Sequence, residues 1–468
     1  MTHIMMNNLT TDLQNLDTIL TEVKQQGIDY LNHIQERSTA SSIEVELIPD
    51  LNVTGIGTIK ALKQFNQRFE PLMVASSGPR YWGFVTGGTT PAAIAGDWLS
   101  TVYDQNTQSA KGNGDVSAII ELETIQLLLS LFNLPKDYFG GFVTGATLSN
   151  FTCLGVARQW IGKQLGKDFA REGVSGMVKV LSATPHSSAI KSLSMLGLGS
   201  GNVIQVNVLA GNREALDAAD LELKIQALNG EPFILISSAG TVNTVDFDDF
   251  EAINLLKQKY NFWWHIDAAF GGFAACSPKY SHLVKGWENA DSITVDCHKW
   301  LNVPYESAVF FIKEKYQLLQ VETFQNSNAA YLGNPMENFS YLNFLPENSR
   351  RLKALPAWFT LTSYGKQGYQ EIVESNVETA LLFADFINEN PNFELLAPVR
   401  LNTVCFSLTD ENLVITFLNK LNASGKVFMT PTFYNGKKGI RAAFVNWRTK
   451  SEDVELVTAA MTEILTEL

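Results

Sequence analysis

A lysine follows an apolar stretch of the chain and stands between a histidine and a tryptophan. Residues 292–304 read SITVDCHKWLNVP, which places Lys299 between His298 and Trp300. Apolar surroundings disfavour a charged ammonium, so a lysine in this setting loses its proton more readily and can form a Schiff base with an aldehyde. The competing interpretation is a solvated lysine on a loop at a strand end.

An aspartate ends a second apolar stretch. Residues 262–272 read FWWHIDAAFGG, with Asp267 between an aromatic run and a set of small residues. Because ligands of open α/β sheets bind beyond the carboxyl ends of the strands, Asp267 is well placed to meet a cationic group on a ligand. The competing interpretation is an aspartate that caps the following turn.

A glycine-rich segment is the third feature. Residues 140–150 read GGFVTGATLSN and predict a turn that runs into a helix, whose exposed N–H groups could hold a phosphate. The segment matches neither the P-loop nor the dinucleotide fingerprint, so an ordinary capped turn explains it at least as well. Together, the three features suit a phosphorylated aromatic aldehyde with a cationic ring, and pyridoxal 5'-phosphate meets all three requirements.

Alternating short β-rich runs and helical stretches, between about residue 118 and residue 315, predict a mostly parallel sheet covered by helices. A long helix and further strands after Pro356 predict a smaller α+β lobe. We expect residues 1–105 to form an N-terminal helical arm and aromatic loop, 106–352 a large cofactor-binding domain, and 353–468 a small C-terminal α+β domain. The predicted strands are 178–182, 203–208, 232–237, 262–267, 292–296 and 308–312 in the large domain, and 403–408, 427–430 and 440–446 in the small one.

The amino-acid composition argues against several classes of partner and site. The 468-residue chain has 35 basic and 48 acidic residues, a net charge of −13, and its basic residues are scattered, so a nucleic-acid partner is not expected. No apolar run approaches the roughly 20 residues that cross a bilayer, and the N-terminus lacks a secretory pattern, so we expect a cytoplasmic protein without membrane contact. The four cysteines show no CxxC spacing and the six histidines no HxxxH pair, so no metal site is expected.

The motifs around the lysine and the aspartate resemble those of the group II pyridoxal-phosphate decarboxylases, which include the glutamate and aromatic amino-acid decarboxylases. The segment His298-Lys299-Trp300-Leu301 is similar to the motif whose lysine holds the cofactor, and Ile266-Asp267-Ala268-Ala269 to the motif whose aspartate pairs with the pyridine nitrogen. The resemblance implies a pyridoxal-phosphate fold of type I, with a large, mostly parallel seven-stranded sheet domain and a smaller α+β domain.

Further segments resemble the cofactor-binding parts of that family. Pro185-His186-Ser187-Ser188 is similar to the motif whose histidine stacks on the cofactor ring, and Ala239-Gly240-Thr241 to a turn on the cofactor side. The resemblance implies these cofactor-binding residues: Gly145, Ala146, Thr147, His186, Thr241, Asp267, His298 and Lys299.

The resemblance also extends to the substrate side. Ala330-Tyr331-Leu332 resembles the mobile-loop segment whose tyrosine returns a proton to the substrate carbon, with Tyr341 as a competing candidate. Arg441 is similar to an arginine that meets the side-chain carboxylate in glutamate decarboxylases, although relatives with other substrates share it and a structural salt bridge is an equal alternative. Phe84 stands where the glutamate enzymes have a glutamine, which argues against glutamate.

The activity that the resemblance implies is conversion of an L-amino acid to its amine and CO₂. Lys299, His186, Asp267 and Tyr331 would be the catalytic residues, with Phe84 and Arg441 on the substrate side. A homodimer with a shared active site is also implied. A pyridoxal-phosphate carbon–carbon lyase, similar to sphingosine-phosphate lyases, and an aminotransferase are the alternative activities.

Overall fold

The computed structural model describes residues 8–48, 50–109, 116–325 and 339–468. The helices are α1 Asn8–Gln14, α2 Leu16–Asn32, α3 Thr58–Arg68, α4 Pro91–Tyr103, α5 Ser117–Leu131, α6 Ala146–Gln164, α7 Phe169–Glu172, α8 Ser187–Met195, α9 Ala218–Ala227, α10 Phe250–Lys259, α11 Gln317–Phe324, α12 Ala354–Glu389, α13 Val414–Ala423 and α14 Ser451–Leu465. The strands are β1 Tyr138–Val143, β2 Lys179–Ser182, β3 Val203–Gln205, β4 Phe233–Ser238, β5 Phe262–Asp267, β6 Ser292–Asp296, β7 Ala308–Lys313, β8 Phe393–Leu395, β9 Thr403–Leu408, β10 Thr430–Tyr434 and β11 Lys437–Ala443.

A seven-stranded sheet carries the large part of the fold. Its strand order is β1-β7-β6-β5-β4-β2-β3, and β7 alone runs antiparallel to its neighbours. The central strands β4, β5 and β6 are buried at every position, as expected for a sheet covered on both faces by helices. The carboxyl ends of β1, β2, β4, β5 and β6 therefore meet along one edge of the sheet, and the predicted α/β fold class is confirmed.

The glycine-rich segment departs from its predicted structure. Residues 138–143 form the buried strand β1 rather than a turn, and α6 begins at Ala146. A Cβ atom on Gly140 would lie 2.7 Å from the carbonyl oxygen of Phe310, on the neighbouring strand β7. The glycines thus allow close packing within the sheet, a role that the local sequence does not distinguish from a turn.

A four-stranded antiparallel sheet, with the order β10-β11-β9-β8, forms the smaller lobe together with α13, α14 and the end of α12. The strand predicted at 427–430 is displaced, since β10 begins at Thr430. The preceding backbone pairs elsewhere: Trp82 N–H donates to Phe428 O, and Phe428 N–H donates to Arg80 O. The small lobe is thereby joined to the aromatic loop that reaches the site.

Helix α12 links the two lobes, because its first half packs against α4 and α5 and its second half against α14, β8 and β9.

At the other end of the chain, the leucine face of α1 and α2 is solvent-exposed, with Leu9 79% and Leu13 71% exposed. Within the described parts of the chain, no helix is both long and apolar enough to cross a membrane.

Candidate active site

A cavity of about 470 Å³ lies at the carboxyl ends of the central strands. It is lined by six of the residues singled out from the sequence: Phe84, His186, Thr241, Asp267, Lys299 and Arg441. These residues come from four loops, one strand end and the small lobe, and the parallel arrangement of β2, β4, β5 and β6 brings the elements of the large sheet together. A substrate or cofactor in this cavity would meet all six.

Lys299 follows β6 and enters the cavity with its side chain largely buried. Its Nζ lies 3.1 Å from Oδ2 of Asp296, the last residue of β6, and 5.4 Å from the ring centroid of Phe270. A desolvated ammonium is stabilised only by such a partner. Lys299 therefore combines a low-dielectric setting with one specific counter-ion, which suits a reactive amine.

Asp267 ends β5 and faces the cavity with 7% of its surface exposed. Each of its carboxylate oxygens accepts a hydrogen bond: Oδ2 from Nδ2 of Asn150 at 3.0 Å, and Oδ1 from the N–H of Ala269 at 3.2 Å. Two donors stabilise the ionised form, which only accepts. The carboxylate is thus held ready for a cationic group in the cavity.

His186 precedes α8 and caps it, since its Nδ1 accepts the N–H of Ser188 at 3.2 Å. The hydroxyl of Ser188 lies 2.8 Å from the same nitrogen. Burial lowers the pKa of His186, against the opposing effect of Asp267. A neutral imidazole is therefore favoured here, with its proton on Nε2 because Nδ1 accepts.

The predicted phosphate turn lies beside the cavity, at the start of α6. The N–H of Ala146 donates to Oδ1 of Asp296 at 2.6 Å, so this carboxylate joins the helix N-terminus to Lys299. The N–H and the hydroxyl of Thr147 have no partner among the described residues. A Cβ on Gly145 would lie 3.5 Å from His298 Cε1, so the turn closely approaches that ring.

His298 is largely buried and is held by its neighbours rather than exposed to the cavity. Its Nδ1 accepts the N–H of Ser307 at 3.3 Å, and its ring lies 4.4 Å from that of Tyr305. Burial lowers the pKa of His298. The proton of the neutral ring is then on Nε2, which lies 3.7 Å from Asp296 Oδ2.

Thr241 lines the cavity, but its hydroxyl is already engaged within the protein. It donates to Oε2 of Glu214 and accepts the N–H of Asp246 at 2.9 Å. Glu214 also lines the cavity and accepts from the hydroxyl of Thr244 at 2.7 Å. The structure therefore gives Thr241 a role in fixing the cavity wall.

The aromatic loop places Phe84 at the mouth of the cavity, with 61% of its surface exposed. Phe84 and Val85 have positive φ values of 55° and 59°, a conformation that is strained for a β-branched residue such as Val85. Two contacts hold this backbone: Gly83 packs against Phe428, and Gly87 lies directly on the carbonyl of Lys299. The ring of Phe84 is thus carried by a loop that packs closely against Phe428 and Lys299.

Arg441 reaches the cavity from β11, and burial lowers its pKa. Its Nη1 donates to Val242 O at 3.0 Å and lies 3.4 Å from Asn243 Oδ1. Among the described residues, no carboxylate lies within ion-pair distance of its guanidinium. The salt-bridge alternative is therefore not supported, and the remaining donors are free for a ligand.

The two tyrosine candidates differ. Tyr341 is fully buried, and its hydroxyl donates to Gly140 O at 3.3 Å, so it does not reach the cavity. Burial raises the pKa of Tyr341 well above its usual value. Tyr331 lies outside the described residues, and its role as proton donor stays a prediction.

Three residues of this site are not among those predicted from the sequence patterns: Asn150, Glu214 and Asp296. Asp296 ends an apolar strand as Asp267 does, so the same pattern could have identified it. Asn150 and Glu214 have no comparable local signal, because their partners are distant in sequence. In the ranges that the structure describes, no group of His, Cys, Asp and Glu side chains is arranged to hold a metal ion.

The family model for the pyridoxal-dependent decarboxylase conserved domain matches residues 59–409. The chain belongs to this family. It is 27% identical to a tryptophan decarboxylase of Camptotheca acuminata over 408 residues, which cover 82% of this chain and 80% of the relative. It is 25% identical to an aromatic-L-amino-acid decarboxylase of Bacillus atrophaeus over 469 residues, covering 94% of this chain and 95% of the relative.

The fold is also similar to solved structures. The crystal structure of Oryza sativa TDC with PLP and tryptamine matches with a TM-score of 0.87 at 21% identity, covering 96% of this chain and 98% of that one. The predicted family, the type I fold and the cofactor are confirmed. The protein is a pyridoxal-phosphate-dependent carboxy-lyase that acts on an L-amino acid, which decides against the carbon–carbon lyase and aminotransferase alternatives.

The described residues fit pyridoxal phosphate. The cavity pairs a buried amine, Lys299, with a carboxylate that accepts from two protein donors and faces inward, Asp267. Near them, the start of α6 provides N–H groups for an anion, with Asp296 occupying one of them. An aldehyde, a pyridinium nitrogen and a phosphate each find a complementary group.

Proposed function

We propose that Lys299 is the residue that binds the cofactor covalently, with Asp267 against the pyridine nitrogen and His186 against the ring. The observation that carries this proposal is the convergence of the three side chains on one cavity of about 470 Å³. When bound, pyridoxal phosphate supplies an electron sink for the charge that develops as the carboxylate leaves. Every other contribution to the reaction comes from the side chains of the protein.

Asp267 contributes a fixed negative charge. Because its oxygens accept hydrogen bonds from Asn150 and Ala269, the carboxylate is held in place and remains an acceptor. A preorganised charge of this kind stabilises a cationic nitrogen without reorganisation during the reaction. His186 is neutral and caps α8, so it would orient the cofactor ring by packing rather than by charge.

Lys299 contributes the amine, and the apolar walls around it contribute desolvation. Phe270 and Val85 line the same cavity, and the ring centroid of Phe270 lies 5.4 Å from Nζ of Lys299. Loss of CO₂ disperses the charge of a carboxylate, so a poorly solvated site favours that step.

The assignment of Lys299 is tested by Lys299→Ala. The variant should lose amine formation and the visible absorbance of lysine-bound cofactor, because no other amine in the described cavity can replace Nζ. Arg441→Lys, which retains Lys299, serves as the control for a change of cationic side chain in the same cavity. Retention of both signals in Lys299→Ala would overturn the assignment.

The proposed substrate is an L-amino acid with an aromatic side chain. Two curated relatives are named for decarboxylation of tryptophan or of aromatic amino acids, and the exposed ring of Phe84 offers a stacking surface at the cavity mouth. An acidic side chain is the second candidate, because Arg441 has free donors and no carboxylate partner among the described residues.

A panel of amino acids separates the two candidates. The enzyme with added cofactor is assayed for CO₂ and amine release with tryptophan, tyrosine and phenylalanine, and with glutamate and aspartate. Preference for the first group supports the proposal, and Phe84→Ala should then raise KM for those substrates. Turnover of glutamate and aspartate alone would instead support an acidic substrate, whose side chain Arg441 would bind.

We also propose a homodimer. The support is the apolar face of the N-terminal arm, on which Leu9, Leu13, Leu16 and Leu20 are 79%, 71%, 48% and 52% exposed. Exposed apolar surface of this extent marks a protein contact. Light scattering should give twice the 51.8 kDa mass of the chain, and a monomer would refute the proposal.

A further inference from the structure

A buried series of hydrogen bonds runs beneath the cavity, from Trp263 to Asp267. The indole N–H of Trp263 donates to Ser292 Oγ at 3.0 Å, and Ser292 Oγ lies 2.9 Å from His265 Nδ1. On the other side of the same ring, His265 Nε2 lies 2.9 Å from Asn150 Oδ1. Nδ2 of Asn150 then donates to Asp267. Trp263, Ser292, His265 and Asn150 are all completely buried.

The two ends of this series determine its direction. An indole N–H only donates, and a carboxylate only accepts. The amide nitrogen of Asn150 must therefore face Asp267, which leaves its oxygen facing His265. His265 must then carry its proton on Nε2, and its Nδ1 accepts from the hydroxyl of Ser292. Burial lowers the pKa of His265 to about 4, in agreement with a neutral ring.

A branch at Asn150 reaches the second catalytic side chain. Nδ2 of Asn150 also lies 3.0 Å from Ser188 Oγ, so this oxygen accepts one of the two amide hydrogens. The Ser188 hydroxyl is then oriented to donate to His186 Nδ1 at 2.8 Å. His186 keeps its own proton on Nε2, for which the described residues offer no partner. One amide therefore contacts Asp267 directly and His186 through one hydroxyl.

We propose that Asn150 is a positioning residue that orients Asp267 and His186 together, with neutral His265 holding the amide in the required direction. This proposal rests on the roles of Asp267 and His186 in the proposed function. It concerns two residues, Asn150 and His265, that lie outside the cavity lining.

The direction can be measured without turnover. Holoenzyme labelled with ¹⁵N-histidine contains six histidines, and His186→Gln and His265→Gln assign the two signals by their loss. At pH 7.5 both rings should be neutral with the proton on Nε2. A proton on Nδ1 of His265 would mean that the amide faces the other way, and would overturn the proposal whatever the role of Lys299.

Two substitutions test the coupling, that is, whether Asn150 positions Asp267 and His186. Asn150→Asp preserves the shape and the acceptor for His265, but its ionised carboxyl cannot donate to Asp267. A hydrogen bond to a charged group is lost, so kcat should fall by about 10- to 100-fold at pH 8. Thr152→Val is the matched control, because Thr152 is equally buried on α6 and its hydroxyl donates only to Leu148 O at 2.7 Å.

The pH profile separates positioning from a merely structural role. Two facing carboxylates raise each other's pKa, so the introduced carboxyl group takes up a proton as the pH falls and becomes a donor again. The ratio of variant to wild-type kcat should therefore rise between about pH 8 and pH 6. The other titratable or charged groups that act on this region are Cys153, His186, His265, Asp296, Lys299 and Arg441.

A ratio that stays constant over this pH range would overturn the coupling, as would a Thr152→Val variant that loses as much activity as Asn150→Asp. If Asn150→Asp fails to fold, the ¹⁵N measurement on the wild-type enzyme still decides the direction of the series. Failure of the proposed function is recognised separately, because Lys299→Ala would then retain amine formation while the histidine signals are unaffected.

Discussion

Gly87 lies against the backbone of Lys299, and its substitution tests how closely the aromatic loop positions the lysine. A Cβ atom at Gly87 would be 1.6 Å from the Lys299 carbonyl oxygen and 2.9 Å from Asn302 Nδ2. The φ angle of Gly87 is not in the left-handed region, so Gly87→Ala introduces a steric conflict without added backbone strain. The loop or the lysine must move.

The size of the effect follows from the overlap. Cβ atoms do not approach other atoms closer than 3.0 Å, so the contact must lengthen from 1.6 Å by at least 1.4 Å. A displacement of about 1 Å at a catalytic group costs about 100-fold in rate, or about 2.7 kcal/mol in transition-state stabilisation. Overpacking should also lower the free energy of unfolding by about 1–3 kcal/mol.

The assay measures kcat/KM for amine release at saturating cofactor, together with the visible absorbance of bound cofactor. Gly201→Ala is the control, because no atom lies within 4 Å of the point that its new methyl group would occupy and its φ is not positive. We expect Gly201→Ala to match the wild type. A Gly87→Ala variant that remains within about threefold of that control would show that the loop does not position Lys299.

Two further predictions concern the tyrosines and a buried ion pair. Tyr331→Phe should lower amine formation while the cofactor stays bound. Tyr341→Phe should leave amine formation unchanged, because the Tyr341 hydroxyl donates to Gly140 O and does not reach the cavity. Equal effects of the two substitutions would contradict this difference between the tyrosines. Glu121→Ala should lower the free energy of unfolding in urea by about 3–5 kcal/mol, because it leaves the fully buried Arg350 without its partner at 2.8 Å. The exposed pair of Glu463 with Lys426 is the control, for which Glu463→Ala should cost less than about 1 kcal/mol. Similar losses from the two variants would refute the distinction between buried and exposed pairs.

Much of the large sheet could be predicted from the sequence. Strands β5 and β6 have the predicted bounds, because each is rich in β-branched or aromatic residues and ends in an aspartate. Strand β1 was missed, since Gly140 and Gly141 have low strand propensity and are present for close contact with β7 and with Tyr341. Its assignment depends on pairing with β7, a strand that lies far along the chain.

The cofactor, the family and the reaction class could all be predicted without coordinates. Those conclusions depend on residue types within short segments, such as the lysine between His298 and Trp300, and a local motif preserves that information without coordinates. Apolar strands that end in Asp267 or precede Lys299 also indicated where a ligand would bind.

The contacts between side chains of the site, in contrast, become visible only in the folded chain. Asn150 and Asp267 are separated by 117 residues and Ala146 and Asp296 by 150, yet each pair shares a hydrogen bond. The burial of Tyr341 and the contact of Gly87 with Lys299 likewise depend on residues that are distant in sequence. Hydrogen bonds and steric contacts depend on distances of about 3 Å, and the packing of strands and loops from distant parts of the chain sets those distances.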